Sequence, residues 1–375
     1  MAGIYIHIPF CRQACNYCNF YFSTAPGNKE PFVVALLKEI ELSKGYLQGE
    51  KIETIYLGGG TPTQLSTEDL KRIADALRHN YDLTNLREFT IEANPDDLDQ
   101  IRVGELKALE TFGLNRFSIG VQSFFDADLK YMNRAHNADE AMAAIKRVQD
   151  AGFKNITIDL IYGTPTMNDE NWQKNMETAF ALQVPHISSY ALTVEAKTTL
   201  EKKIKKGESR PVDEEQSARQ FTMLMDAMAK NHFEQYEISN FARDKHYAIH
   251  NSNYWFGKKY LGLGPSAHSF NGSSRRWNVA NNINYINGIS QGKILYEEEI
   301  LTPAQQVNEK IMTALRTQWG LAISEVGMRN AELIQESLKA INPEHYTLEG
   351  GVLKLTHEGK LFADSIAAAL FVEEE

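Results

Sequence analysis

The run Phe10-Cys11-Arg12-Gln13-Ala14-Cys15-Asn16-Tyr17-Cys18 holds every cysteine of the 375-residue chain. Thiolates suit soft metal centres, and a CxxxCxxC spacing on one loop can aim three of them at a common point. Three thiolates leave a four-iron cluster one protein ligand short. One iron then stays open to a small molecule, much as the open position of a catalytic zinc is free to bind water. Two plainer readings stand beside this one, a three-cysteine zinc site and a chance cluster of buried thiols. Zinc would want a fourth ligand close by, and the nearest candidate, His7, lies inside a strand-like run.

Outward from this loop, strand-like runs alternate with helical ones, the pattern of a parallel sheet with crossover helices. The strands expected are Gly3 to Pro9, Thr54 to Gly58, Glu88 to Ala93, Arg116 to Val121, Asn155 to Tyr162 and His186 to Leu192. Between the second and third, Ser66-Thr67-Glu68-Asp69 offers a helix N-cap ahead of Leu70, Ile73, Ala74 and Leu77 at helical spacing. Periodicity alone does not choose between a doubly wound sheet and an open (β/α) barrel. Either way, ligands gather at the carboxyl ends of parallel strands. The first strand ends at the cysteines, the second at Gly58-Gly59-Gly60-Thr61-Pro62, the third at Glu92-Ala93-Asn94-Pro95, the fourth at Gly120-Val121-Gln122-Ser123, and the fifth at Asp159 with Gly163. A triple glycine can be no more than a tight connection, and Glu92 and Asp159 can be ordinary capping carboxylates.

The cysteine spacing together with these strand ends resembles the radical S-adenosylmethionine (SAM) superfamily. The resemblance implies an α/β fold, an open partial (β/α)6 barrel, with a [4Fe-4S] cluster held by Cys11, Cys15 and Cys18 and with SAM chelating the open iron. Placed beside such a loop, Gly59, Gly60 and Thr61 are similar to the superfamily's glycine motif, whose backbone meets the SAM amino group. By resemblance to the anaerobic coproporphyrinogen III oxidase group, Glu92, Gln122, Arg134 and Asp159 fall where that group contacts SAM and its ribose. Tyr5, six residues before Cys11, occupies a position near the cluster, and its plain role is a core aromatic. The oxidases carry CxxxCxxCxC, whereas Phe20 stands two residues past Cys18 here. The chain also begins almost at the first strand, without the extension expected of the oxidase. Both departures argue against porphyrinogen oxidation.

Downstream, Tyr236-Glu237-Ile238-Ser239-Asn240-Phe241-Ala242 precedes His250-Asn251-Ser252-Asn253-Tyr254-Trp255. This HNxxYW run resembles the signature of the HemW-type heme chaperones. The resemblance implies heme bound in the segment 236–270, with His250, Tyr254 and Trp255 as contacts, and heme delivery to respiratory hemoproteins at a membrane surface. It also implies a homodimer. A histidine can ligate heme iron while aromatics pack on the porphyrin. Equally, His250 can be a hydrogen-bonded loop residue with Tyr254 and Trp255 filling core. Gly262-Leu263-Gly264-Pro265-Ser266-Ala267-His268-Ser269 is a second such stretch, with His268 the weaker ligand candidate.

After about residue 290 the pattern changes, so the chain divides into a core of 1–290 and a smaller domain of 291–375. Pro303 opens a helix with Val307, Ile311, Leu315 and Trp319 at helical spacing, and a second helix is expected near Ala331 to Ile341. A hairpin is expected over Tyr346 to Thr356 around Glu349-Gly350-Gly351, then a helix from His357 to Phe371 ahead of Glu373-Glu374-Glu375. Helices with a two-stranded wing make a winged-helix-like α+β arrangement. A net charge of -10 argues against a nucleic-acid partner, since phosphate binding wants a basic surface. The N-terminal MAGIYIHIPF lacks the basic region of a secretory signal, no run approaches the ~20 apolar residues of a membrane span, and an iron–sulfur centre needs reduced thiols. The expected compartment is the cytoplasm, peripheral to the membrane where heme would be delivered.

Overall fold

The computed structural model describes residues 1–373; of the acidic C-terminal run, Glu374 and Glu375 lie outside the described residues. Six parallel strands form as expected to within a residue or two: β1 Ala2–Ile8, β2 Ile52–Gly59, β3 Glu88–Ala93, β4 Arg116–Gln122, β5 Asn155–Tyr162 and β6 His186–Ala191. They pair in sequence order, each parallel to the next. Alternation decides which face each residue takes. Ile4, Ile6 and Ile8 of β1 are fully buried against the helical layer, which includes Phe32, Val33 and Leu36. Burying each such side chain contributes about 1.5–3 kcal/mol. The opposite, concave face carries Tyr5, His7, Tyr56, Glu92, Arg116 and Asp159, so the polar residues of the strands turn inward together.

The crossover helices begin where the capping residues predict. Ser66 Oγ accepts from Asp69 N at 3.1 Å and starts the helix Thr67–Asn80, which buries Leu70, Ile73, Ala74 and Leu77. Asn137 and Glu140 form a reciprocal capping box at the helix Ala138–Asp150.

The sheet does not stop at six strands, nor does it close. On one side β6 continues antiparallel into β8 (Asn240–Ala242) and β7 (Glu234–Glu237). On the other, β1 pairs in parallel with β9 (Tyr260–Leu263), followed by β10 (His268–Phe270), β11 (Ser274–Asn278) and β12 (Tyr296–Ile300). The result is a 12-stranded open sheet with β12 and β7 at its edges. β12 lies beyond residue 290, where the sequence suggested that the core ended. Its Tyr296-Glu297-Glu298-Glu299-Ile300 is exposed throughout and shows no alternation to read, and its charges protect a free edge.

The C-terminal layer has its own core, with Ile311, Leu315, Leu321, Ile334, Leu338, Leu353 and Ile366 among its buried members. Helices Pro303–Leu315, Met328–Leu338 and Ala363–Ala369 pack with β13 (Leu321–Ala322), β14 (Tyr346–Glu349) and β15 (Val352–Leu355), ordered β13-β15-β14, in a winged-helix-like arrangement. The last helix is shorter than expected because a 3-10 turn, Gly359–Phe362, precedes it. Arg316 ties this layer to the sheet, donating through Nε to the buried Glu237 Oε1 at 3.1 Å. No helix among the described residues is long and apolar enough to cross a membrane.

Candidate functional site

The cysteine loop leaves the carboxyl end of β1 and is sewn down at several points. Cys11 N donates to Ser23 O at 3.1 Å and Ser23 N to Pro9 O at 2.7 Å, which closes its base. Asn16 N and Nδ2 donate to Met132 O and Tyr131 O, and Asn133 Nδ2 donates to Ala14 O at 2.7 Å. A backbone amide from a third region, Leu200 N, donates to Asn16 O at 2.7 Å. The three thiols remain partly exposed and unlinked to one another. Burial pushes the Cys11 thiol up to about 11 and raises that of Cys18. A bare thiolate is thus disfavoured at Cys11 and Cys18, and a metal centre is the partner that offsets such charge. Among the described residues, no three His, Cys, Asp or Glu side chains converge as a single metal ion would require. Three soft thiols on one loop are a donor set that suits an iron–sulfur cluster.

The expected neighbours gather at this rim. Gly59 has φ +109°, and a Cβ there would lie 2.6 Å from His7 Nδ1; a Cβ on Gly60 would lie 2.7 Å from Phe10 O. The triple glycine is therefore required for the turn to pass beneath the loop. Gly59 N donates to Glu92 Oε2 at 3.2 Å, and Thr61 Oγ1 faces Cys11 Sγ at 3.8 Å. Arg134 binds three groups at once: Nη1 donates to Cys15 Sγ at 3.2 Å and Nη2 donates to Asn94 Oδ1 at 2.7 Å and Gly120 O at 2.8 Å, while the buried Nε has no partner. Asn94 Nδ2 in turn donates to Thr61 Oγ1 at 2.9 Å. Gln122 adopts φ 68° where the register between β4 and β5 shifts.

Glu92 and Asp159 lie deep on the concave face. Burial, then the charge of Asp159, pushes Glu92 up to about 7, against the pull of Tyr56 OH, which donates to Oε1 at 2.7 Å. Burial likewise raises Asp159 to about 6. Tyr5 OH reaches His7 Nδ1 at 3.1 Å and stays protonated by burial. Buried carboxylates that titrate near neutrality beside an unpartnered guanidinium hydrogen make a site ready for a polar, zwitterionic ligand.

Asn94, which links Arg134 to Thr61, was missed as a site residue although its run was read as a strand end. Asp97 was missed too. It accepts from Thr63 Oγ1 at 3.1 Å, Gln64 Nε2 at 2.6 Å and Arg12 Nη2 at 3.1 Å, tying the cysteine loop to the glycine turn. Its only sequence signal was its position just past the third strand.

His250, expected as a heme contact, lies away from this rim. It lies in the helix Ile249–Trp255, which plugs the opposite end of the barrel, where the strands begin. Glu88 caps that helix, accepting from Ile249 N at 2.7 Å and His250 N at 2.9 Å. The imidazole is 2 % exposed; its Nδ1 pairs with Thr54 Oγ1 and its Nε2 with Tyr254 OH, both at 2.8 Å. Tyr56 stacks on it, with centroids 5.1 Å apart. Both ring nitrogens thus have hydrogen-bond partners. The sequence could not show the Thr54 and Glu88 contacts, because those residues lie on β2 and β3, far upstream. Tyr254 and Trp255 do border open space, a cavity of 1140 Å³ between the concave face and the C-terminal layer. Tyr5, His7 and the residues just after Cys18, Asn19, Phe20 and Tyr21, line the same cavity.

An open parallel barrel whose first strand ends in a CxxxCxxC loop over a glycine turn defines a radical SAM protein, and the Radical SAM superfamily profile matches residues 5–179. That superfamily implies a [4Fe-4S] cluster and SAM. The curated "Heme chaperone HemW" of Bacillus subtilis (strain 168) is 34% identical over 100% of both chains, and that of Mycobacterium tuberculosis (strain ATCC 25618 / H37Rv) is 31% identical over 98% of this chain and 94% of its own. The chain belongs to the HemW family of radical SAM proteins. The solved coproporphyrinogen III oxidase (HemN) from Escherichia coli shares the fold, with a TM-score of 0.85 at 21% identity over 99% of this chain and 90% of that one.

Proposed function

We propose that this chain is a heme chaperone that carries a [4Fe-4S] cluster on Cys11, Cys15 and Cys18 and binds SAM beside it. The open iron of the cluster would anchor SAM and, on reduction, supply an electron to it. Tyr5, Gly59, Gly60, Thr61, Glu92, Gln122, Arg134 and Asp159 hold SAM: the glycine turn offers backbone groups, Glu92 and Asp159 accept hydrogen bonds, and Arg134 meets a carboxylate. Heme is the cargo, taken up near the segment 236–270 and passed to respiratory hemoproteins at a membrane surface, by a protein that works as a homodimer in the cytoplasm.

The observation that carries this reading is the aromatic-walled cavity adjoining the cluster loop, in a chain whose full-length relatives are named heme chaperones. Porphyrin is large, flat and apolar with charged edges, the kind of ligand such a cavity takes. Phe20, 69 % exposed and lining the cavity where the oxidases have a further cysteine, supports a carrier over an oxidase. An anaerobic hemin titration of cluster-reconstituted protein, followed by the Soret band, tests it. Saturable, near-stoichiometric binding supports the chaperone. Unsaturable binding, or decarboxylated product from coproporphyrinogen III under reducing conditions, overturns it in favour of an enzyme.

A further inference from the structure

We propose that the cavity between the concave sheet face and the C-terminal layer is the heme site, with a ring nitrogen of His268 as the axial ligand and Arg275 receiving a propionate. This rests on the chaperone reading and deepens it by fixing where heme sits.

At 1140 Å³ the cavity exceeds the about 300–1,000 Å³ of ordinary small-molecule sites. One wall is the β9–β10–β11 ribbon. Register places His268 opposite Trp277 and Phe270 opposite Arg275, so all four share one face, and His268, Phe270 and Arg275 reach the cavity. His268 is exposed, and its ring nitrogens bond no described residue. What holds it is stacking on Trp277, with centroids 5.9 Å apart and planes 26° apart. An imidazole oriented by stacking, with its nitrogens uncommitted, is suited to meet a metal entering from the cavity. The other histidine on the wall, His7, is committed at both nitrogens, to Tyr5 OH at 3.1 Å and Tyr21 O at 2.8 Å.

The rest of the lining suits a porphyrin. Tyr260 meets Tyr254 edge-on at 4.7 Å and lies 6.3 Å from Phe270, and across the cavity Phe256 packs on Trp319 at 4.7 Å. Such rings offer flat apolar contact at little entropic cost. Arg275 gives Nη2 to Glu309 at 2.9 Å but has a buried Nε hydrogen without an acceptor, the donor that a propionate would complete.

The test is anaerobic hemin titration of reconstituted full-length parent, His268→Ala and His268→Gln, with metal-free protoporphyrin IX titrated in parallel. Loss of at least about tenfold in hemin affinity, with a displaced Soret band that added imidazole restores and with unchanged protoporphyrin binding, is the expected result. His268→Ala with parental hemin affinity and Soret position overturns the placement while leaving the chaperone reading intact. A parent that binds no hemin at all overturns both. Equal loss of hemin and protoporphyrin binding, without rescue by imidazole, overturns ligation by His268.

Discussion

His250 Nδ1 lies 2.8 Å from Thr54 Oγ1, deep at the end of the barrel opposite the cysteine loop. The contact joins residues 196 positions apart, and Glu88 adds a second clamp on the same turn. Beside it a buried network runs on: Arg116 reaches Thr90 and Thr157, Thr157 meets His186, and His186 Nε2 pairs with Tyr236 OH at 2.7 Å. The HNxxYW segment is thus a stopper for the barrel, and it positions Tyr254 and Trp255 at the cavity from behind.

His250→Ala is therefore expected to act on stability. It empties a packed site and strands Thr54 and Tyr254, at a cost of about 2–4 kcal/mol. Urea unfolding of parent and variant measures this. At a temperature where the variant remains folded, its hemin Soret band is expected to match the parent's, and a ligand-type Soret change would contradict the stopper role.

Replacing Cys11, Cys15 or Cys18 by Ala is expected to abolish cluster assembly with little effect on the fold, because the thiols are partly exposed and belong to the loop rather than to the apolar core. Iron analysis after reconstitution should fall from about four per chain to near zero. Far-UV circular dichroism should not change.

Arg134→Lys keeps the charge and loses the fork that reaches Cys15, Asn94 and Gly120 together. SAM affinity, measured by calorimetry on reconstituted protein, is expected to drop at least about tenfold. Undiminished affinity would remove Arg134 from the SAM site.

Glu92 gives a pH signature. Its folded value of about 7 stands above the ordinary 4.5, chiefly through burial, so the folded chain holds this proton more tightly than the unfolded one. The resulting stabilisation is full below 4.5 and is lost as pH rises through 7. Glu92→Gln cannot ionise, so its stability relative to the parent should rise from about pH 5 to about pH 8, by up to about 3 kcal/mol at ~1.4 kcal/mol per unit. Unfolding curves across that range, without SAM, decide it; a pH-independent difference would show that Glu92 is ionised throughout.

The cysteine spacing, the strand-end glycines and the capping residues were legible because each depends on neighbours in the chain. CxxxCxxC needs only one loop, Ser66 needs only Asp69, and β1 declares itself by the alternation of Ile4, Ile6 and Ile8 with Tyr5 and His7. β12 was not legible, since an exposed edge of Glu297, Glu298 and Glu299 carries no burial pattern.

By itself, then, the sequence determined the parallel α/β framework, the thiol loop and the rim of strand ends, all of which follow from local periodicity and from the fact that consecutive βα units place their loops on one side. Only the tertiary structure decided which groups each histidine meets. A histidine's partners are set by folding as well as by near neighbours: His250 meets Thr54 of β2 and Tyr254 of its own helix, His7 meets Tyr5 beside it and the Tyr21 carbonyl of the cysteine loop, and the pairing of β10 with β11 sets His268 against Trp277.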